Sequence, residues 1–180
     1  MDGELQKTLR ATFGYRQPLG SQNRGDETAH KNIGNPEKAI AFHNQALLVI
    51  RKINDPRGKS YVLGNLGLAY ADLGKPRKTI QLCRRALLIA RQIGNRRAEG
   101  NALNNLGLAY AALGQQAKAL KFYDERLAIA REIIDRRGEG YTLFASALSL
   151  DKLGNRPEAV ERVTGALQIF EAIDHPFAIK

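Results

Sequence analysis

An all-α solenoid of antiparallel helix pairs is the fold this chain predicts, on three observations. The run Leu63-Gly64-Asn65-Leu66-Gly67-Leu68-Ala69-Tyr70-Ala71-Asp72-Leu73-Gly74 returns forty residues later as Leu103-Asn104-Asn105-Leu106-Gly107-Leu108-Ala109-Tyr110-Ala111-Ala112-Leu113-Gly114, and about half of each forty-residue unit matches the other. Gly34, Gly74, Gly114 and Gly154 mark one position in four successive units. Apolar residues recur three and four apart, while no stretch between turn residues alternates apolar with polar as a strand does. A fixed period of roughly 20–50 residues belongs to arrays in which each unit buries its apolar face by stacking on neighbours. Function is therefore expected on an extended surface rather than in a catalytic pocket.

Along the chain, residues 1–31 come first, and they are read as a degenerate or disordered segment. One period back from the second unit, Asn23, Asp26 and Glu27 stand where Leu63, Leu66 and Gly67 do, so the core stripe is gone. Gly3, Gly14, Pro18, Gly20 and Gly25 interrupt the segment, which has little apolar surface to offset ordering entropy. A short helix packed on unit two is the alternative. The array follows over residues 32–174, in units of about 17–56 (degenerate), 57–96, 97–136 and 137–174. Residues 175–180 read as the start of a truncated next unit, since Pro176 to Ile179 fall where Arg136 to Glu139 begin one. With no polar capping helix after them, the chain reads as a fragment of a longer array, or as one whose last helix pairs with another molecule. Association of copies through exposed terminal units stays open.

Each unit reads as two helices and a turn. Leu63, Leu66, Gly67, Tyr70 and Leu73 share one stripe of the first helix, and this stripe is core. Glycine at 67 and 107 costs about 1 kcal/mol of helix propensity against alanine, which close approach of the partner helix would recover. After the turn, Ala39, Ile40, Ala46, Leu47 and Ile50, then Ile80, Ala86, Leu87 and Ala90, form the apolar face of the second helix. Tyr61, Asn65, Leu68 and Asp72 occupy a different face of the first helix. Stacking aligns them with Asn101, Asn105, Leu108 and Ala112, then with Tyr141, Ala145, Leu148 and Lys152, in rows that line the inside of a curved array.

Leu66-Gly67, Tyr70, Gly74 and Ala86, repeated as Leu106-Gly107, Tyr110, Gly114, Ala119 and Tyr123, resemble the tetratricopeptide repeat family over roughly residues 32–174. The pattern is similar to the forty-residue variant of kinesin light chains, of the adaptor with Leu-Gly-Asn repeats and of large bacterial regulators. The resemblance implies a right-handed superhelix that binds peptides or partner domains. It also implies a groove role for the asparagine before each Leu-Gly pair, Asn65 and Asn105. An amide offers both a donor and an acceptor, so a ladder of them pairs with a peptide backbone whatever its side chains. Capping or bridging of neighbouring helices by these asparagines is the competing reading. Leu63, Leu103 and Leu143 replace the family's tryptophan, Ser146, Ala147 and Leu150 weaken the fourth unit, and Arg126 stands where a packing alanine is expected.

The expected function is a protein-interaction scaffold holding an extended peptide or partner helix along Tyr61, Asn65, Leu68, Asn101, Asn105, Leu108 and Tyr141. The net charge of +10 leaves open attraction to acidic peptides, nucleic acid or anionic surfaces, and an acidic protein or peptide partner is one of these. Its densest source lies between Asp72 and Glu99, with eight basic residues and no acidic one. There Arg77, Arg84 and Arg91, with Arg85 beside them, form a row expected on the outer, solvent side as a patch for an anionic partner. No base-stacking aromatics are interleaved with it, which argues against nucleic acid.

No enzyme chemistry is legible, and no cofactor is expected. Ile53-Asn54-Asp55-Pro56-Arg57-Gly58-Lys59-Ser60 ends like a phosphate loop but begins with isoleucine instead of glycine and recurs as an inter-unit turn. His30, His43 and His175 lack metal-site spacing. Glu99 and Glu139 recur beside Arg97 and Arg137, which reads as salt bridges at helix starts. Cys83, the one cysteine, falls at an apolar helix position and has no disulfide partner. The first residues lack the apolar core of a signal peptide, and no apolar run approaches the roughly 20 residues that span a bilayer. A cytoplasmic protein with no membrane segment is expected.

Overall fold

The computed structural model describes residues 35–173, which form seven helices and no strand. These are α1 (Pro36–Ile53), α2 (Pro56–Asp72), α3 (Pro76–Gln92), α4 (Arg96–Ala112), α5 (Gln116–Glu132), α6 (Arg136–Lys152) and α7 (Arg156–Ala172). The readings made for residues 1–31, Gly34, His30, His175 and 175–180 fall outside the described residues. From α2 onward each helix has 17 residues. With the three-residue turn that separates them, two such helices fill the forty-residue period.

Local chemistry sets these boundaries. Proline opens α1, α2 and α3, where its missing N–H is one the helix leaves unpaired anyway. Asn35, Asn95 and Asp135 cap α1, α4 and α6, their side-chain oxygens accepting from the N–H of Lys38, Ala98 and Gly138 at 2.9, 3.1 and 3.0 Å. Between the helices of a unit, Gly74, Gly114 and Gly154 adopt φ of 66°, 73° and 81°, and the N–H two residues past each helix closes back on its last turn. Between units the same left-handed position is filled by Asn54, Gly94 and Ile134, at φ 51°, 66° and 55°. A β-branched residue there is strained.

Each helix packs on the next, and α2, α4 and α6 also touch one another along the array. No comparable backbone approach joins α1, α3, α5 and α7 among the described residues. The chain is thus two layers of unequal spacing, with α2, α4 and α6 on the tighter, inner side. The interior runs the length of the array: Leu63, Leu66, Leu103 and Leu106 are almost wholly buried, as are Ala86, Ala119 and Ala166 on the outer layer's inward faces.

Two glycines let the layers close. A Cβ on Gly67 would lie 2.5 Å from the Cys83 sulfur, and one on Gly107 would lie 2.4 Å from Tyr123 Cε1. The Thr79 hydroxyl donates to the Gly67 carbonyl at 2.9 Å across the same contact. Arg126 takes the place of the packing alanine and is buried. Its guanidinium donates to Asp135, the cap of α6, in the space left by the missing side chains of Gly100 and Gly138.

Candidate functional site

The inner face is built by one stripe of α2, α4 and α6. On α2 it carries Tyr61 and Leu68, half-buried, and Asn65 and Asp72, exposed. On α4 it carries Asn101 and Ala112, exposed, and Leu108, half-buried, while on α6 Tyr141, Ala145 and Leu148 are half-buried and Lys152 is exposed. Tyr141 meets Phe170 edge to face at 5.2 Å, and its ring lies 5.8 Å from the Arg137 guanidinium.

The two asparagines before the Leu-Gly pairs are not equivalent. Asn105 is buried, and its amide donates to the Gly64 carbonyl at 3.3 Å, bridging α4 to α2. Its Nδ2 is engaged inside the array, so a ligand there meets an amide already holding two units together. Asn65 is exposed. Burial pushes the neighbouring Cys83 thiol up to about 12, with a hydrogen bond to Asn105 acting in the opposite direction.

One feature of this face was missed in the sequence. Arg57, Arg97 and Arg137 stand four residues before Tyr61, Asn101 and Tyr141, on the same stripe, and all three are exposed. They form a row at the start of each inner helix. The forty-residue period carries the signal for them.

On the outer side, the expected basic row is half consumed. Arg77 and Arg85 are exposed. Arg84 donates to the Tyr110 hydroxyl at 2.6 Å, and Tyr110 stacks on Phe122 at 5.3 Å. Arg91 spans two units, its Nε on Glu99 at 2.8 Å and its Nη2 on Glu125 at 2.6 Å. Arg96 reaches both Glu99 and Glu132. The carboxylates of α5 thus offset cations that look unopposed in the linear sequence. The salt bridges at the helix starts also need correction: Glu99 pairs with Arg91 and Arg96, and Glu139 with Arg131 and Arg136, rather than with Arg97 and Arg137. A residue three positions before a helical glutamate lies over it, whereas one two positions before points elsewhere.

Residues 59–132 match the family model described as tetratricopeptide repeat. Over that stretch the chain consists of tetratricopeptide repeats. Solved structures of the same fold include the TPR domain of Arabidopsis FLU, 19% identical with a TM-score of 0.63, over 66% of this chain and 99% of that one. BtubC from P. vanneervenii is 20% identical with a TM-score of 0.67, over 80% of this chain and 61% of its own. Nearly identical TPR-like repeats of a Podosopora anserina putative kinesin light chain are 16% identical with a TM-score of 0.66, over 99% of this chain and 82% of theirs. No curated protein matches in sequence. At these identities the likeness establishes the fold. Among the described residues there is no group of three or more His, Cys, Asp or Glu placed to hold a metal, and no helix long and apolar enough to cross a membrane.

Proposed function

We propose that this tetratricopeptide repeat array is a protein-interaction scaffold that holds an extended acidic peptide, or one face of a partner helix, along its inner side. The observation that carries the reading is the partial exposure of large side chains there: Tyr61, Leu68, Leu108 and Tyr141 keep area accessible that a ligand would remove from water. Asn65 and Asn101 supply free amides for its backbone, and Arg57, Arg97 and Arg137 supply one cation per unit. On the stripe itself Asp72 is the only acid. Charge there favours acidic segments and speeds encounter more than it adds affinity.

Pull-down with the chain, followed by competition with synthetic peptides, identifies the ligand. Tyr61→Ala and Asn65→Ala then weaken it severalfold while leaving the circular dichroism spectrum unchanged. Unchanged affinity in both variants removes the inner face from the interaction.

A second reading, association through the first described helix, has its own support. Val49 is 58% exposed, whereas its equivalents Ile129 and Ile169 are 3% and 6% exposed. Ile89, the equivalent in the second unit, is half-buried. Mass measured across a concentration series tests this: a constant monomer mass rejects it.

A further inference from the structure

The outer face is not uniform along the array. Between α3 and α5, Arg91 holds Glu99 with its Nε and Glu125 with its Nη2. One unit on, Arg131 repeats the first half of this arrangement, with its Nε on Glu139 at 2.8 Å. The second half is missing. Position 165, one period after Glu125, is glycine, and the Arg131 Nη2 finds no acceptor among the described residues. Position 128, one period after Leu88, is alanine. These two reductions open a cleft of about 710 Å³ between α5 and α7.

The cleft has two ends and a floor. Leu127, Ala128, Leu143 and Gly165 line its middle. Arg131 and Gln168 stand at one end. About two helical turns away, roughly 10 Å at 1.5 Å per residue, Arg162 is held by Asp124 at 2.9 Å and Glu158 at 2.8 Å. Glu161 lines that end as well, exposed and without an ion-pair partner among the described residues.

We infer that this outer cleft binds an extended peptide segment carrying a carboxylate for Arg131 and a cation for Glu161, three residues apart, with aliphatic side chains between them. The separation follows from the rise of about 3.1 Å per residue of an extended polyproline II segment, whose three residues per turn bring both charged side chains to one face. The carboxylate takes the part that Glu125 plays for Arg91, so the array itself supplies the template for recognition. Aliphatic side chains remove the floor from water. Because this surface is opposite the inner stripe, its occupancy does not depend on the inner face being a binding site.

The test uses N-acetyl-Lys-Leu-Leu-Glu-amide and the same peptide ending in glutamine, each titrated into the isotope-labelled full chain with amide shifts followed by NMR. Saturable shifts at residues 124–131 and 161–168 are expected. The glutamine peptide should bind at least about tenfold more weakly, as expected when a charge-assisted hydrogen bond is lost. Arg131→Gln should abolish the preference for glutamate. Since Arg131→Gln also disturbs the buried Glu139, a second variant is needed. Gly165→Glu supplies the carboxylate from within, so it should block the peptide and raise Tm above that of Gly165→Gln. The inference is overturned if the shifts map elsewhere or are absent, if both peptides bind alike, or if Gly165→Glu is no more stable than Gly165→Gln and still binds.

Discussion

Gly107→Ala adds one methyl group where α4 meets α5. The new Cβ would lie 2.4, 2.6 and 2.9 Å from three atoms of the Tyr123 ring, which is 1% exposed and has no room to retreat. Overpacking of this kind costs about 1–3 kcal/mol, and alanine returns about 1 kcal/mol of helix propensity. The overlap is severe, so the net loss should be about 1–2 kcal/mol, or some 2–8 °C in Tm for a chain of this length. The array contains its own rescue. In the fourth unit the equivalent pair is Ala147 and Val163, and Ala147 is buried against that helix. Tyr123→Val alone leaves a cavity and should cost roughly 2–4 kcal/mol. Gly107→Ala with Tyr123→Val should then be at least about 1 kcal/mol more stable than the sum of the single losses. Guanidinium unfolding followed by far-UV circular dichroism measures all four members of the cycle, with a nearest-neighbour fit if unfolding is not two-state. Gly107→Ala as stable as the parent, or strict additivity in the cycle, would refute the claim that these glycines exist to admit the partner helix.

Ile134→Gly should raise stability by about 0.5–1 kcal/mol: it relieves a β-branched residue at φ 55°, its side chain is 79% exposed, and the gain is reduced by the extra freedom of glycine in the unfolded chain. A lower Tm for that variant would show that the turn is not strained. Cys83, fully buried and with its thiol pushed up to about 12, should resist alkylation at neutral pH in the native protein and react fast in denaturant, as a mass-spectrometric time course will reveal. For Asp135, burial raises the carboxyl, but the Arg126 guanidinium and the Gly138 N–H together outweigh it and hold the group below its ordinary value. Its stabilising contribution is therefore complete above about pH 4 and disappears as pH falls through the depressed folded value. Asp135→Asn should flatten the acid limb of Tm against pH; an unchanged limb would mean that the pair with Arg126 is not coupled to folding.

Much of this architecture is legible in the linear chain because it is local or strictly periodic. Capping side chains, prolines at helix starts and left-handed glycines act within a few residues, and the forty-residue period repeats the core stripe, so Leu63, Leu66, Leu103 and Leu106 were identifiable as interior. The close approach at Gly67 and Gly107 was legible for the same reason. Contacts between units were not. Arg91 meets Glu125 at a separation of 34 residues, Arg96 meets Glu132 at 36 and Arg162 meets Asp124 at 38. None of these separations equals the period. The partner of an outer cation therefore depends on how far one helix is staggered against the next, and on the wider spacing of the outer layer. Inside, the fate of Asn105 rested on whether the Gly64 carbonyl came within reach of its amide, and nothing in the repeat distinguishes it from Asn65.

Sequence alone determined that the chain is a repeated helical hairpin with one face of each first helix left for other work, since helix periodicity and turn chemistry are set by near neighbours. Tertiary structure decided which charges are spent inside the array, that Arg126 is buried between Gly100 and Gly138, and that a cleft opens beside Arg131. Those outcomes are set by the angle and offset at which units stack, which emerge from the summed packing of whole helices and not from any single residue.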